Sequence, residues 1–224
     1  MPEVHAGTAK PVRNARRGGD SGRDIRLHRV RRLDWRFLLR DPELGHVALL
    51  GDDDPELVEA LRATSPALSL LDLNWQFPPG QEPHFDLVVL RSCDPADAAR
   101  AAALLGPRGS LYWEIEHCRD RRSPRTWFVN GPLGTSTIRA QLEALGFGGI
   151  LFHWHRPAFA TAVEIIPLGD DASLGYVLGG RSRRLGGRTK RAVGRLLRRA
   201  GLLERLIPCM SVVATRTLAE TEDA

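Results

Sequence analysis

Lysine is nearly absent from the 224 residues: there are two, Lys10 and Lys190, against 30 arginines. Cysteine is as scarce, and the three present, Cys93, Cys118 and Cys209, sit far apart. An odd count without metal-ligand spacing argues against a disulfide framework and a zinc site, and predicts a reduced, cytoplasmic compartment. No apolar run approaches the ~20 residues that cross a bilayer. The Arg-rich N-terminus lacks the apolar stretch of a secretory signal, so none is expected. Aromatic residues make up 6%, and no DNA- or RNA-binding motif is visible, which counts against nucleic acid as the partner. P-loop and G-x-S-x-G signatures are missing too.

What is present is enough apolar residue, 42%, for one sizeable folded domain. The net charge of +5 is unevenly spread: residues 1–40 carry +7, residues 181–205 carry +9, and the remainder carries −11. An acidic body with two basic appendages suits anionic partners, although basic runs are more often solvated surface. Residues 1–24 lack apolar periodicity and are expected to form a disordered basic tail, as is the short 218–224 end. Residues 25–217 are expected to form the domain. Its lead-in, "RLDWRFLLRDPELG", offers Trp35, Phe37, Leu38 and Leu39 as anchors.

From there apolar runs alternate with helical patterns. "HVALLG" (46–51) predicts a strand, "PELVEALRA" a helix, "LSLLDLN" (68–74) a second strand and "FDLVVLRS" (85–92) a third. "DPADAARAAALLG" predicts a helix, "GSLYWEIE" (109–116) a fourth strand, "STIRAQLEALGF" a helix ending at Gly146, and "GILFHWHR" (149–156) a fifth strand. "SVVATR" (211–216) predicts a final strand. Continuous apolar strands imply a sheet covered on both faces, and the strand–helix rhythm implies right-handed crossovers. The fold class is therefore α/β, a Rossmann-like, doubly wound, mostly parallel sheet. Ligands in such sheets sit beyond the carboxyl ends of the strands.

Residues 85–116, "FDLVVLRSCDPADAARAAALLGPRGSLYWEIE", together with "LEALGF" and the strand after it, resemble the class I S-adenosylmethionine (SAM) dependent methyltransferase superfamily. The stretch "LLGPRGSLYWEIE" is similar to that family's L-x-P-G-G turn and fifth strand. The resemblance covers roughly residues 44–156 and 209–217. It implies a last strand inserted antiparallel to its neighbours, SAM as cofactor, and methyl transfer to a small or carrier-linked acceptor. It also implies that an acidic residue at the end of the second strand holds the ribose hydroxyls. Asp72 stands there, 21 residues after Gly51, in keeping with the ~20-residue spacing of nucleotide-binding βαβ units. The family's first loop reads D/E-x-G-x-G-x-G. Here the matching stretch is "LLGDDDP", where Gly51 alone aligns and Leu49 takes the acidic position. The glycine-rich motif is thus degenerate.

Part of "GDDDPE" has a plain structural account. Asp54 before Pro55 reads as a helix N-cap with proline at the first position. Asp52 and Asp53 remain. Three carboxylates repel phosphate but tolerate the cationic amino and sulfonium groups of SAM. The residues expected to bind the cofactor are Gly51, Asp52, Asp53, Asp72 and Leu73, with Arg91 and Ser92 at the end of the third strand. Candidate bases are His153 and His155, which alternate onto one face of the fifth strand, and Glu116, which shares a face with Glu114. The two histidines lack a third ligand, so no metal site is expected. Asp94 reads as a helix cap, and Cys93 lacks an activating partner.

Residues 157–208 are expected to form a helical insertion or cap. Val193, Leu196, Leu197, Ala200, Leu203 and Ile207 fall on one helical face with arginines opposite, which allows a membrane-surface contact through 182–207 or a protein partner. Two functions follow: a SAM-dependent methyltransferase acting on a small molecule, and a catalytically inactive methyltransferase-like scaffold or accessory subunit.

Overall fold

The computed structural model describes residues 31–51, 54–75, 84–92, 94–116, 134–179, 193–194, 196–197 and 203–217. Seven strands form one sheet in the order β2-β1-β3-β4-β7-β5-β6. They are β1 (His46–Gly51), β2 (Ala67–Leu71), β3 (Phe85–Arg91), β4 (Leu105–Glu116), β5 (Phe147–Arg156), β6 (Glu164–Pro167) and β7 (Cys209–Arg216). β1 pairs in parallel with β2 and β3, and β3 with β4. β7 runs antiparallel between β4 and β5, and β6 antiparallel on the outer side of β5. This is the Rossmann-like sheet expected, with the antiparallel insertion that the resemblance implied.

The helices are α1 (Pro55–Thr64), α2 (Ala96–Leu104), α3 (Thr135–Ala144), α4 (Asp171–Gly179) and α5 (Leu203–Leu206). Each of the first three starts or stops for a local reason. Asp54 caps α1 by accepting the Glu56 and Leu57 N–H groups, and Pro55 needs no donor partner there. α2 starts one residue later than its sequence suggested, with Pro95 at the cap, while Asp94 accepts the Ala96 N–H. α3 ends where Gly146 takes φ +82°, a left-handed exit that costs glycine nothing. β4 begins at Leu105 rather than Gly109, because Leu105 already pairs with Phe85 across a register shift.

Two apolar clusters flank the sheet. One joins Ala98 and Ala101 of α2, Ile138 and Leu142 of α3, Leu174 and Leu203 to Leu111, Trp113 and Ile115 of β4. The other packs Leu57, Val58 and Leu61 of α1, with Leu33, Trp35 and Leu44 of the lead-in, on Val47, Leu49, Val89 and Tyr112. Trp35 anchors the lead-in as expected, whereas Phe37 is 64% exposed. The 3-10 turn Asp34–Leu38 aims Phe37 outwards, beneath the Arg36 guanidinium.

The segment after β5 is not wholly helical. Its "EIIP" forms β6, since Ile166 reaches one cluster and Ile165 the other. The single apolar face drawn through Val193 and Leu196 does not hold either. Both are exposed, whereas Leu197 packs on the core and Leu203 and Ile207 are buried. The backbone approaches at Gly194, where a Cβ would stand 2.4 Å from Leu178 Cδ1. Ala200 lies outside the described residues. No described helix is long and apolar enough to cross a membrane.

Candidate functional site

The chain order reverses between β1 and β3, so the topological switch point lies between their carboxyl ends. Gly51 pairs with Arg91 there, and Leu50 pairs with Leu71, the residue before Asp72. Gly51, Asp72, Leu73, Arg91 and Ser92 are thereby brought to one rim. Asp52 and Asp53 lie outside the described residues, as does Cys93.

Gly51 adopts φ +110°, and a Cβ would stand 2.1 Å from the Arg91 carbonyl oxygen. Close strand packing therefore requires this glycine whether or not a ligand is bound. Asp72 is exposed, and one carboxylate oxygen accepts the Asn74 N–H at 2.7 Å in an Asx turn. Ser92 donates to the buried carboxylate of Asp97, and its carbonyl accepts from Trp113 Nε1 at 2.8 Å.

From the rim a polar row crosses the sheet in register: Gly51, Arg91, Glu114, Ser211 and His153 are successive Cα partners. In its middle sits Arg32, which the lead-in delivers with 1% exposure. Arg32 Nη1 and Nη2 donate to the two oxygens of Glu114 at 2.6 and 2.7 Å. Nε and Nη2 donate to Asp54 Oδ2 at 3.2 and 3.1 Å. Arg91 Nε adds a third contact to Glu114 at 3.2 Å. Two cations thus face two carboxylates in a largely buried, balanced cluster. Burial opposes the charge on Arg32, but Glu114 and Asp54 outweigh it and its pKa rises further. Burial likewise pushes Asp54 up, and Arg32 with the capping N–H groups brings it below the usual carboxylate range.

The network continues sideways. Tyr112 OH donates to Glu114 Oε1 at 3.3 Å and lies 3.5 Å from His155 Nε2, which shares a 2.8 Å hydrogen bond with Ser211 Oγ. Trp35 stacks on Tyr112 with ring centroids 3.7 Å apart. Burial raises the Tyr112 pKa well above its usual value, and Glu114 adds to it.

His153 and His155 share a face as the strand alternation predicted, and both are buried; His155 adjoins the lead-in residues Arg32 and Trp35. Burial lowers their pKa values to about 4 and about 3; for His155 the neighbouring His153 and Arg32 contribute too. Both are neutral at pH 7. Glu114 and Glu116 divide: Glu114 is buried, Glu116 is exposed at the end of β4 opposite Cys209. Among the described residues no group of three metal-binding side chains occurs.

Arg32 and Tyr112 escape sequence reasoning altogether. Arg32 sits in an Arg-rich run whose partners lie 22 and 82 residues away. The one available signal was the charge split: an acidic body requires cations, and the lead-in supplies them.

A larger cavity of about 1160 Å³ lies at the opposite, amino ends of β1, β3 and β4, between Arg36, Arg40, Asp86 and Arg108. It is remote from the switch point, and size alone does not make it the site.

No protein-family model matches the chain, and no curated protein matches it in sequence. Solved structures do. One is a SAM-dependent methyltransferase of Thermotoga maritima, at 14% identity and TM-score 0.41, covering 86% of this chain and 91% of that one. A second is phosphoethanolamine N-methyltransferase 2 of Haemonchus contortus with S-adenosylhomocysteine, at 11% identity and TM-score 0.42, covering 78% of this chain and 49% of that one. The [4+2]-cyclase SpnF, at 12% identity and TM-score 0.38, covers 92% and 85%. At this level of likeness the strand order remains the stronger statement about the fold.

Proposed function

We propose that the chain binds SAM at the rim formed by Gly51, Asp72, Leu73 and Ser92, and transfers methyl groups to a small-molecule acceptor. The observation that carries this is the meeting of Gly51 and the exposed Asp72 at the switch point of a sheet with an antiparallel β7. The donor set fits the nucleoside end: Asp72 keeps a carboxylate oxygen for the ribose hydroxyls, and the acidic turn carries no group that would recruit phosphate. SAM would supply an activated methyl group. The chain's residues would bind and orient the reactants, which suffices for much of the rate. Glu116, the exposed carboxylate at the end of β4, suits a base better than the two buried, neutral histidines.

Isothermal titration with SAM and S-adenosylhomocysteine tests this. Saturable binding with a Kd below ~1 mM, on the scale of ordinary metabolite affinities, is expected; no heat at that concentration sinks the proposal.

A second function, a methyltransferase-like accessory subunit without catalysis, is favoured by one observation. Arg32 holds Asp54 and Glu114 in ion pairs, so neither carboxylate is offered to a ligand's amino group. This second function predicts no SAM binding by the native chain.

A further inference from the structure

At the amino ends of the parallel strands, β4, β5 and β7 border a hollow of about 450 Å³ beside the lead-in. Three arginines line it: Arg40 after the lead-in turn, Arg108 in β4 and Arg216 in β7. Among the described residues no carboxylate lines it. Arg40 and Arg108 are exposed and Arg216 is half-buried, so a guest in the hollow reaches them from solvent. The wall on β5 is low. It is made by Gly148 and Gly149, at the bulge where that strand shifts register against β7, and a Cβ added at Gly149 would meet nothing within 4 Å.

These charges are not spent inside the protein. Among the described residues Arg40 and Arg108 enter no ion pair. Both also border the cavity of about 1160 Å³, but its carboxylates turn elsewhere. Asp41 accepts the Glu43 N–H at 2.9 Å, and Asp86 accepts the His46 N–H at 2.8 Å. Arg216 is fixed in place, with Nη1 donating to the Ala102 and Leu105 carbonyls at 3.2 and 2.5 Å. Carbonyls carry only partial charge, so its positive charge stays uncancelled.

Arg108 sets this hollow apart from a chance meeting of surface charges. It adopts φ +66°, in the left-handed region that costs a side chain energy and glycine nothing. It stands at the first glycine of the L-x-P-G-G turn that "LGPRG" resembles. Backbone strain kept at an exposed residue points to a use for its side chain.

We infer that this hollow binds the phosphate group of a small soluble molecule, with Arg40 and Arg108 donating to its oxygens and Arg216 adding charge. Guanidinium forks match the edges of a phosphate, and an anion carrying two or more charges answers several cations at once, which a single carboxylate does not. The site lies at the opposite end of the sheet from Gly51 and Asp72. It therefore goes beyond the function proposed above, and its failure leaves that proposal untouched.

Inorganic pyrophosphate is the probe, titrated into the full-length chain at low salt and followed by calorimetry. It is expected to saturate with a Kd on the order of 0.1 mM, and acetate to bind at least about tenfold more weakly. Arg108→Gly removes the guanidinium and relieves the left-handed strain together. It is expected to leave the urea midpoint unchanged or raised while weakening pyrophosphate at least about tenfold. Arg40→Gln, at an exposed position, is expected to weaken pyrophosphate similarly without unfolding the chain. Arg62→Gln, which removes an exposed arginine of α1, is expected to change neither. The inference is overturned if pyrophosphate does not saturate by roughly 5 mM, or if either hollow variant binds it like the native chain. It is overturned too if Arg62→Gln weakens it as much as they do, since net charge alone would then explain the binding. Binding to vesicles containing phosphatidic acid without binding to pyrophosphate would also overturn it, by making the ligand a lipid surface.

Discussion

β4 presents two different surfaces to the two sides of the sheet. Towards α2 and α3 it turns Leu111, Trp113 and Ile115, which meet Ala98, Ile138 and Leu142. Towards α1 and the lead-in it turns Tyr112 and Glu114, which meet Trp35 and Arg32. Of the buried polar residues, Arg32, Glu114, Ser211, His153 and His155 fall on the second side, and Asp97, in the first turn of α2, is the exception. Both sides exclude water, but by different physics. The apolar side is stabilised by area and tight packing, which tolerate swaps of similar volume. The polar side requires every charge to keep its partner, and loses several kcal/mol when one is removed. The costly surface lies towards the carboxyl ends of β3 and β4, where Arg91 and Glu114 sit.

The sharpest way to break the comparison is Arg32→Ala. It strands Glu114 and Asp54 without their main cation, and is expected to cost ~3–5 kcal/mol in urea unfolding. Leu111→Ala on the apolar side costs about as much, ~2–5 kcal/mol. The two sides separate on compensation. Arg32→Met combined with Glu114→Gln removes both charges and should recover most of the loss, as apolar or neutral replacements of buried ion pairs commonly do. No second substitution near Leu111 restores the methylenes except one of matching volume. If the double variant is as unstable as Arg32→Ala, the cluster is not an ion pair in energetic terms and Asp54 dominates.

The histidines give the next largest effect. Their folded pKa values, about 4 and about 3, lie below the unfolded value of 6.5. The unfolded chain therefore takes up protons first as pH falls, so stability is full above pH 6.5 and declines below it, down to about pH 4 and pH 3. Between pH 7.5 and 5.5 the pair should cost roughly 3 kcal/mol. Asp54 contributes in a different window: its folded pKa lies below 3.8, so its share is lost only under stronger acid. Urea unfolding at the two pH values checks this, and His153→Gln should remove about half of the slope. An unchanged slope in that variant would mean that water reaches His153.

Much of the fold was legible in the sequence because strands and helices announce themselves locally. The apolar runs of β1, β3 and β4, the Asp54–Pro55 cap and the Gly146 exit each depend on neighbours within a few residues. The elements that were misread depend on distant ones. β6 is four residues long and becomes a strand only because β5 offers an open edge. The pattern placed His153 and His155 on one face, but both are buried, and the lead-in beside His155 lies more than a hundred residues earlier. Arg32 reads as one arginine among many until Glu114 is folded against it. For the candidate site, the sequence named rim residues by position; it was silent on which carboxylates the chain neutralises itself.

Asp72→Asn is expected to have the smallest structural effect and, under the proposed function, the largest functional one. Asp72 is exposed and belongs to neither buried side; its carboxylate accepts the Asn74 N–H and its backbone carbonyl the Trp75 N–H. Asparagine makes the same Asx turn, so Asp72→Asn should shift stability by no more than about 0.5 kcal/mol. The amide cannot replace a carboxylate in accepting two hydroxyl protons at once, and charge-assisted bonds are about twice as strong as neutral ones. Affinity for SAM and S-adenosylhomocysteine should therefore fall at least about tenfold, or ~1.4 kcal/mol, measured by the same titration. A variant that binds as well as the native chain would reduce Asp72 to a turn residue and move the ligand away from β2. A variant that loses both binding and stability would instead mean that the rim is held together by this carboxylate. The native pair of outcomes, unchanged unfolding with weakened binding, is the one that separates a residue kept for a ligand from one kept for the fold.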